Sequence, residues 1–404
     1  MSRTTDELPR LASPDSIAEL SELMARAHAE NRTVAVFGGG TAFDDNPPAA
    51  TPGLLIDMTG LAEVADHAEV TDRSQTRGRS VPADRSVSEG TLRAGAGAKI
   101  SALERLAAAS GQEILPDLPV DRIEAGASLG GMIATSATGP RHLHRPRLSE
   151  SVAAVTTVGA DGTIARTAEG LSPALTGRDL PDLMAGSWGT RAIIVEAEIR
   201  LTARPETQGF VWIPGAEAAA DLLAARHVPD AVVIERPPEA PAATVALIEG
   251  ETAQVESEVG RLVEAVPGAT ACARPEWWGR RAGVPVTIGV SIAPDFLPDL
   301  LETTARLEDA IGYPLQLRGS AVGRFELGVG APETEPGVAT RVVLEHLRSF
   351  GLHRVAARLV HAPATVWDGV DAWGPLPGMQ GLQELKNDCD ARGILSPGRG
   401  LGGI

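Results

Sequence analysis

The chain has 404 residues, enough for two or three domains each with its own core. It is 43% apolar but only 3% aromatic and carries a net charge of −17, so it has neither the basic stripe nor the aromatic interleaving that nucleic acid requires. Cys272 and Cys389 stand far apart in no metal or redox spacing, no apolar run reaches the roughly 18–20 residues of a membrane span, and the first residues lack the order of a signal peptide, so the expected compartment is the cytoplasm.

In chain order, Ser13-Pro14-Asp15-Ser16 marks a helix start, and Ile17, Leu20, Leu23 and Met24 then recur at helical spacing as far as residue 29. A strand is expected over 33–37, running into Gly38-Gly39-Gly40, with another over 54–57 and a short partner over 61–65. Residues 66–90 read as a polar insertion holding Arg73, Arg77, Arg79 and Arg85, a solvated loop rather than a surface for an acidic partner. A strand resumes over 91–94, and the helix after it places Ile100, Leu103, Leu106 and Ala107 on one face and stops at Gly111. Ile114-Leu115-Pro116 is extended and leads towards a second glycine cluster at 124–131. Further strands are expected over 152–158, 163–166 and 192–201, the last alternating from Val195 as a half-buried strand does. Arg204-Pro205-Glu206 is a boundary, beyond which strand–helix units restart, including 215–225 and 297–311. Pro237–Pro241 is an exposed connection, and the glycine-rich tail over 394–403 has little capacity for a helix.

The two glycine clusters carry the chemistry. Glycine has no Cβ and tolerates positive φ, so consecutive N–H groups can converge on an anion. Two such loops in one acidic chain point to a diphosphate held from two sides by backbone donors. Either cluster alone reads equally well as a tight turn, and Gly95-Ala96-Gly97-Ala98 lacks the third glycine of a dinucleotide fingerprint and reads as a turn seating the next helix.

The order Phe37-Gly-Gly-Gly-Thr41, Gly97-Ala-Lys-Ile-Ser-Ala-Leu103, Leu115-Pro116, Gly126-Ala-Ser-Leu-Gly-Gly131, Thr176-Gly-Arg-Asp-Leu180 and Gly186-Ser-Trp-Gly-Thr190 resembles the FAD-binding domain of the vanillyl-alcohol oxidase / p-cresol methylhydroxylase flavoprotein family. The tail Arg392-Gly-Ile-Leu-Ser-Pro-Gly-Arg399 is similar to the closing motif of its hydroxy-acid members, and Gly139-Pro140-Arg141 to the branch of the glycolate oxidase FAD-binding subunit. The resemblance is dense over 30–205 and 380–404 and thin between them. It implies an α+β fold: an FAD-binding domain over 1–205 in two subdomains (about 1–97 and 98–205), an α/β cap over 206–385, and a tail over 386–404 returning to the FAD domain. By the same resemblance Phe37, Gly38, Gly39, Gly40, Thr41 and Ala42 hold the pyrophosphate from one side and Gly126, Ala127, Ser128, Gly130 and Gly131 from the other. Thr135, Ala137 and Gly139 lie along the flavin, Pro116 near its ring or ribose, and Ile194 near the adenine. Neither glycine loop contains His or Cys, so noncovalent FAD is expected, although His142 and His144 lie just beyond the second loop. The chain departs from the family pattern at Gly177-Arg178-Asp179-Leu180, at Gly189-Thr190-Arg191-Ala192 and at Asp390-Ala391.

The implied activity is oxidation of a small 2-hydroxy acid such as glycolate or lactate, with electrons leaving to a partner subunit, a quinone or an iron–sulfur protein. Such a reaction needs a cation for the carboxylate and a base for the hydroxyl proton. Arg318, Arg324, Glu326 and His361 are the candidates in the cap, each reading also as the wet face of a strand or an ordinary loop residue. The eight histidines show no ligand spacing, so no metal is expected. Trp277-Trp278 reads as a hydrophobic anchor for the cap before a flavin-stacking pair. A non-catalytic electron-relay subunit and a degenerate interaction protein remain the alternative functions.

Overall fold

The computed structural model describes residues 9–47, 51–69, 90–167, 179–225, 228–331, 336–367 and 369–404. The first unit comprises β1 (Arg10–Ala12), α1 (Ile17–Ala29), β2 (Val34–Phe37) and β3 (Leu54–Asp57). The Ser16 hydroxyl caps α1 by accepting from the Glu19 amide at 3.2 Å, while Leu20, Met24 and Ala27 turn inward. The three strands form a parallel sheet in the order β1-β3-β2, which places the first glycine cluster at the C-terminal end of β2.

A second sheet contains β4 (Val64–Glu69), β5 (Gly90–Gly95), β6 (Gln112–Ile114), β7 (Val152–Val158), β8 (Ile164–Arg166) and β9 (Ile193–Ala203). Its order is β4-β5-β9-β7-β8, with β6 paired to the far end of β9. Helices α2 (Ile100–Ala109), α3 (Val120–Glu124), α4 (Leu129–Thr135), α5 (Leu148–Ser151) and α6 (Asp179–Met184) complete this unit. Two features differ from the sequence reading. The partner strand begins at Val64 and runs to Glu69, so the polar insertion opens as strand; its four arginines lie outside the described residues, as do 176–178. β4 and β5 precede the division expected near residue 97, yet their ladder runs to β9 because Leu92 and Ala94 bury in the second core.

The cap is one antiparallel sheet. Its elements are β10 (Thr207–Pro214), α7 (Ala218–Ala224), β11 (Ala231–Arg236), β12 (Ala243–Gly250), α8 (Thr252–Ala265), β13 (Thr270–Cys272), β14 (Val286–Ile292), α9 (Leu297–Ile311), β15 (Leu315–Ser320), β16 (Arg324–Val329), α10 (Pro336–Ser349), β17 (Val355–His361) and α11 (Ala364–Trp367). The strand order is β13-β10-β12-β11-β15-β16-β14-β17. Residues of α7, α8, α9 and α10 pack into a single apolar cluster with one face of this sheet. On the other face Phe210, Val233, Val245 and Leu247 are covered by Trp278, whose ring meets Phe210 edge-on at 5.1 Å. Beyond Trp278 that face is polar and stays open. Trp278 is therefore the expected anchor, whereas Trp277 turns to the open part of the face.

The chain then forms α12 (Met379–Cys389) and returns to the first sheet. Leu395 bridges Val34 in parallel, with the Val34 amide donating to the Ile394 carbonyl and the Ser396 amide to that of Val34, each at 2.7 Å. A single 3-10 turn over Leu401–Gly403 ends the tail. Among the described residues no helix is long and apolar enough to cross a membrane.

Candidate functional site

The two glycine clusters face each other. A Cβ on Gly38 would stand 2.2 Å from the Ser128 hydroxyl oxygen, and one on Gly39 would stand 2.0 Å from the Gly126 carbonyl oxygen. Only glycine lets these backbones approach so closely. The cleft they border holds about 360 Å³ and is lined by Phe37–Phe43, Ser128, Gly130, Gly131, Ala134, Thr135, Trp188, Gly189, Ala192–Ile194, Ser396 and Arg399, with Arg122 at one end.

The two loops offer different donors. Among the described residues the amides of Gly39, Gly40 and Thr41 donate to no protein group. The second cluster is committed elsewhere: the amides of Ala127, Leu129 and Gly130 donate to the carbonyls of Arg122, Ala98 and Ala96, and that of Gly131 to the Ser128 hydroxyl. Its role on this wall is close packing, with Ser128 as the polar group presented. The charge that the sequence reading omitted comes from two arginines. Arg399 of the tail donates to the carbonyls of Ala42 and Phe43 at 2.8 and 2.9 Å and lies over the Trp188 ring. Arg122 is 8% exposed, donates to the Thr135 hydroxyl at 3.0 Å, and keeps its Nε without a partner. Burial lowers the pKa of Arg122, against the opposing pull of Asp45.

A second cavity of about 510 Å³ lies between this unit and the open face of the cap sheet. It shares Arg122, Thr135 and Trp188 with the first, so the two adjoin at these residues. Its floor is a row of residues in register across four strands: Arg318 opposite Glu326, Glu326 opposite Gly289, Gly289 opposite Arg358. Arg324 and Ser320 occupy the next inward-facing register. Residues in register on neighbouring strands, and those two apart on one strand, share a face.

Arg318, Arg324 and Glu326 are thus brought into one cavity, as three of the four cap candidates. Arg318 is held by Glu235 at 2.6 Å and lies 4.6 Å over the Trp277 ring, which makes it part of the wall. Arg324 has no protein partner among the described residues. For Glu326, withdrawal from water pushes the carboxyl pKa up, Arg281 and Arg318 pull it down, and Asp121 and Asp45 add to the rise; the net direction is upward. His361 does not line the cavity. Its Nδ1 stands 3.0 Å from Asp45, which Arg281 also grips at 2.7 and 3.1 Å. Burial alone would raise the Asp45 pKa, but His361 and Arg281 bring it down to about 2.

Of the residues assigned to the cofactor by resemblance, Phe37–Ala42, Ser128, Gly130, Gly131, Thr135 and Ile194 line the first cleft, while Ala137 and Gly139 line the cap-side cavity. Gly126 and Ala127 sit behind the loop surface, and Pro116 is buried and lines neither space. Three residues of interest were not singled out for the cavity: Arg122, Arg358 and His142. The sequence gives His142 only a place just beyond the second loop. Its Nδ1 lies 3.1 Å from the Gly139 carbonyl, which assigns the Nδ1–H tautomer and leaves Nε2, unpartnered, as the lone-pair nitrogen of a cavity-lining ring. His144 is exposed and lines neither space.

A glycine-bordered cleft between two α+β units, adjoining a polar cavity under a cap sheet, is the FAD-binding architecture of a flavoprotein, and the donor set fits that group. Free amides and Arg399 suit a diphosphate, and the unpartnered Nε of Arg122 suits a polar ring edge. Residues 9–168 match the family described as FAD binding domain, so this part of the chain is an FAD-binding domain.

The chain is 30% identical over 196 residues to a D-2-hydroxyglutarate dehydrogenase of Xanthomonas citri pv. viticola, covering 48% of this chain and 37% of that protein. It is 31% identical over 213 residues to a probable mitochondrial D-lactate dehydrogenase of Danio rerio, covering 52% and 38%. With the glycolate oxidase subunit GlcD of Bacillus subtilis it shares 32% over 108 residues, covering 25% and 23%. The chain therefore spans well under half the length of these relatives. An alkyldihydroxyacetonephosphate synthase structure superposes with a TM-score of 0.67 over 96% of this chain and 75% of that one, at 14% identity, a likeness of fold.

Proposed function

We propose that this protein is an FAD-dependent oxidoreductase that oxidises a small 2-hydroxy acid, with FAD held noncovalently in the glycine-bordered cleft. The observation that carries this reading is that the cleft and the cap cavity adjoin at Arg122, Thr135 and Trp188, which line both. FAD, when bound, supplies the hydride acceptor. On the protein side, Gly39, Gly40 and Thr41 offer their amides and Arg399 its charge to the diphosphate, while Arg122 neutralises negative charge at the junction. In the cavity Arg324 takes the carboxylate of the acid, and His142 Nε2 accepts the hydroxyl proton as the α-hydrogen leaves. Relatives named for 2-hydroxyglutarate, lactate and glycolate support the substrate class. The similarity to a glycolate oxidase subunit supports a separate electron acceptor, such as a partner subunit, a quinone or an iron–sulfur protein.

Anaerobic mixing of the yellow protein with a panel of 2-hydroxy acids tests this. At least one acid is expected to bleach the flavin absorbance, and His142→Gln to slow that bleaching by roughly 10²–10⁴. A flavin that stays oxidised with every acid, yet is reduced when a partner protein is supplied, would instead establish an electron-relay subunit.

A further inference from the structure

The cap cavity holds more positive charge than a single carboxylate calls for. Four of its seven arginines are matched by acidic groups of the protein itself, Arg280 by Glu124, Arg281 by Asp45, Arg318 by Glu235 and Arg348 by Asp371, and Arg122, at the junction with the cleft, donates to the Thr135 hydroxyl. Arg324 and Arg358 are not matched; among the described residues neither has a hydrogen-bond or ion-pair partner. They project from β16 and β17, which flank β14, and stand opposite Ser291 and Gly289, so their backbones are two strand spacings and two residues apart, roughly 12 Å. Gly289 of β14 lies in register with both Glu326 and Arg358 and leaves the floor between them bare. A side chain there would also collide with Val360, 2.8 Å from the added Cβ. Arg324 and Arg358 both remain exposed to solvent while lining the cavity. The acidic group closest in register, Glu326, has a carboxyl pKa shifted toward the neutral form. In a chain of net charge −17, two uncompensated guanidinium groups facing a cavity of about 510 Å³ describe a place for two anionic groups.

We infer that the substrate is a 2-hydroxy acid bearing a second anionic group, which Arg358 receives while Arg324 holds the carboxylate next to the hydroxyl. This inference rests on the reading of the cavity as the substrate site. Either a second carboxylate or a phosphoryl group fits Arg358, since both accept a guanidinium fork.

Calorimetric titration of the purified full-length protein tests the inference without any turnover. Glutarate is expected to bind at least about tenfold more tightly than butyrate, and Arg358→Gln to remove roughly ten- to hundredfold of glutarate affinity, more than it removes from butyrate. Arg324→Gln gives a second measure, weakening both ligands; equal melting temperatures identify which variants are folded. Bleaching with malate and 2-hydroxyglutarate against 3-phosphoglycerate separates the two sources of the second anion. If glutarate and butyrate bind alike, or Arg358→Gln weakens both equally, the inference is overturned. Selective glutarate binding without bleaching by any acid would sink the proposed oxidation while leaving Arg324 and Arg358 as a site for a dianion. Bleaching by lactate with no preference for dianions would do the reverse.

Discussion

Gly39 has no room for a methyl group, because the obstructing atom 2.0 Å from an added Cβ is a main-chain carbonyl oxygen of the opposite loop. Relief would require the two walls of the cleft to part, at the usual overpacking cost of about 1–3 kcal/mol. Gly39→Ala is therefore expected to weaken FAD by roughly ten- to hundredfold, read from flavin fluorescence quenching during titration of the apoprotein, with the far-ultraviolet dichroism preserved. Glu326 makes a second prediction at this scale. Its carboxyl has a raised pKa, so it is neutral below that value and adds a negative charge to the cavity above it. An anionic substrate then meets more repulsion as pH rises through the Glu326 pKa, and KM climbs. Glu326→Gln holds the position neutral and flattens that limb of the KM–pH profile. A KM that rises equally in both proteins would assign the effect to another group.

At the scale of elements, α12 and the tail form one device. Lys386 is 6% exposed and donates to the Thr190 carbonyl at 2.7 Å, to Asp390 at 2.6 Å and to the Leu395 carbonyl at 2.9 Å. Asp390 in turn accepts the amides of Ile394 and Leu395, the residues that pair with β2. Lys386→Ala strands a buried carboxylate and should cost about 3–5 kcal/mol in denaturant unfolding; loss of the tail from the cleft would also lower FAD affinity through Arg399. The sequence made the tail's return to the FAD domain readable through its motif, but not this lysine, which no local pattern distinguishes from a surface residue. α1 was readable nearly to the residue, because a serine cap and a 3.6-residue period specify it, whereas 297–311 read only as a strand–helix unit and is helix throughout. β4 was not, since Asp66, His67 and Glu69 mimic a loop and only the ladder with β5 makes it a strand. The site followed the same division. Glycine composition marked both loops, yet it cannot say where amide hydrogen bonds go, and those of the second loop go to residues 96–98 and 122. Arg358 escaped notice because its meaning lies in the register of β14, β16 and β17, which a one-dimensional pattern does not contain.

At the scale of the molecule, among the described residues the cap and the FAD-binding unit are joined by the exposed pair Arg280–Glu124 and by two larger ionic centres. In one, Arg141 bridges Asp117 and Glu113 of the FAD unit to Glu249 of the cap, with Arg145 pairing to both glutamates. In the other, Asp45, just beyond the first glycine loop, receives Arg281 and His361 of the cap, and the adjacent backbone is tied by the Asn46 amide donating to the Val360 carbonyl at 3.0 Å. The second centre should make domain union sensitive to acid. Asp45 is 2% exposed, and its pKa falls from the ordinary 3.8 to about 2 in the folded chain. A carboxylate with a depressed folded-state pKa stabilises the fold above its unfolded value and loses that contribution as pH falls through the folded one. The shift corresponds to about 2 kcal/mol, fully present at neutral pH and withdrawn as pH falls from about 4 to 2. Asp45→Asn is accordingly expected to unfold more easily at pH 7 and to converge on the parent protein near the acid end of that window. Denaturant unfolding of both proteins across the window measures the difference. A gap that stays constant down to pH 2 would mean that Asp45 stabilises by packing rather than by charge, and would remove the acid-sensitive link between the cofactor loop and the cap.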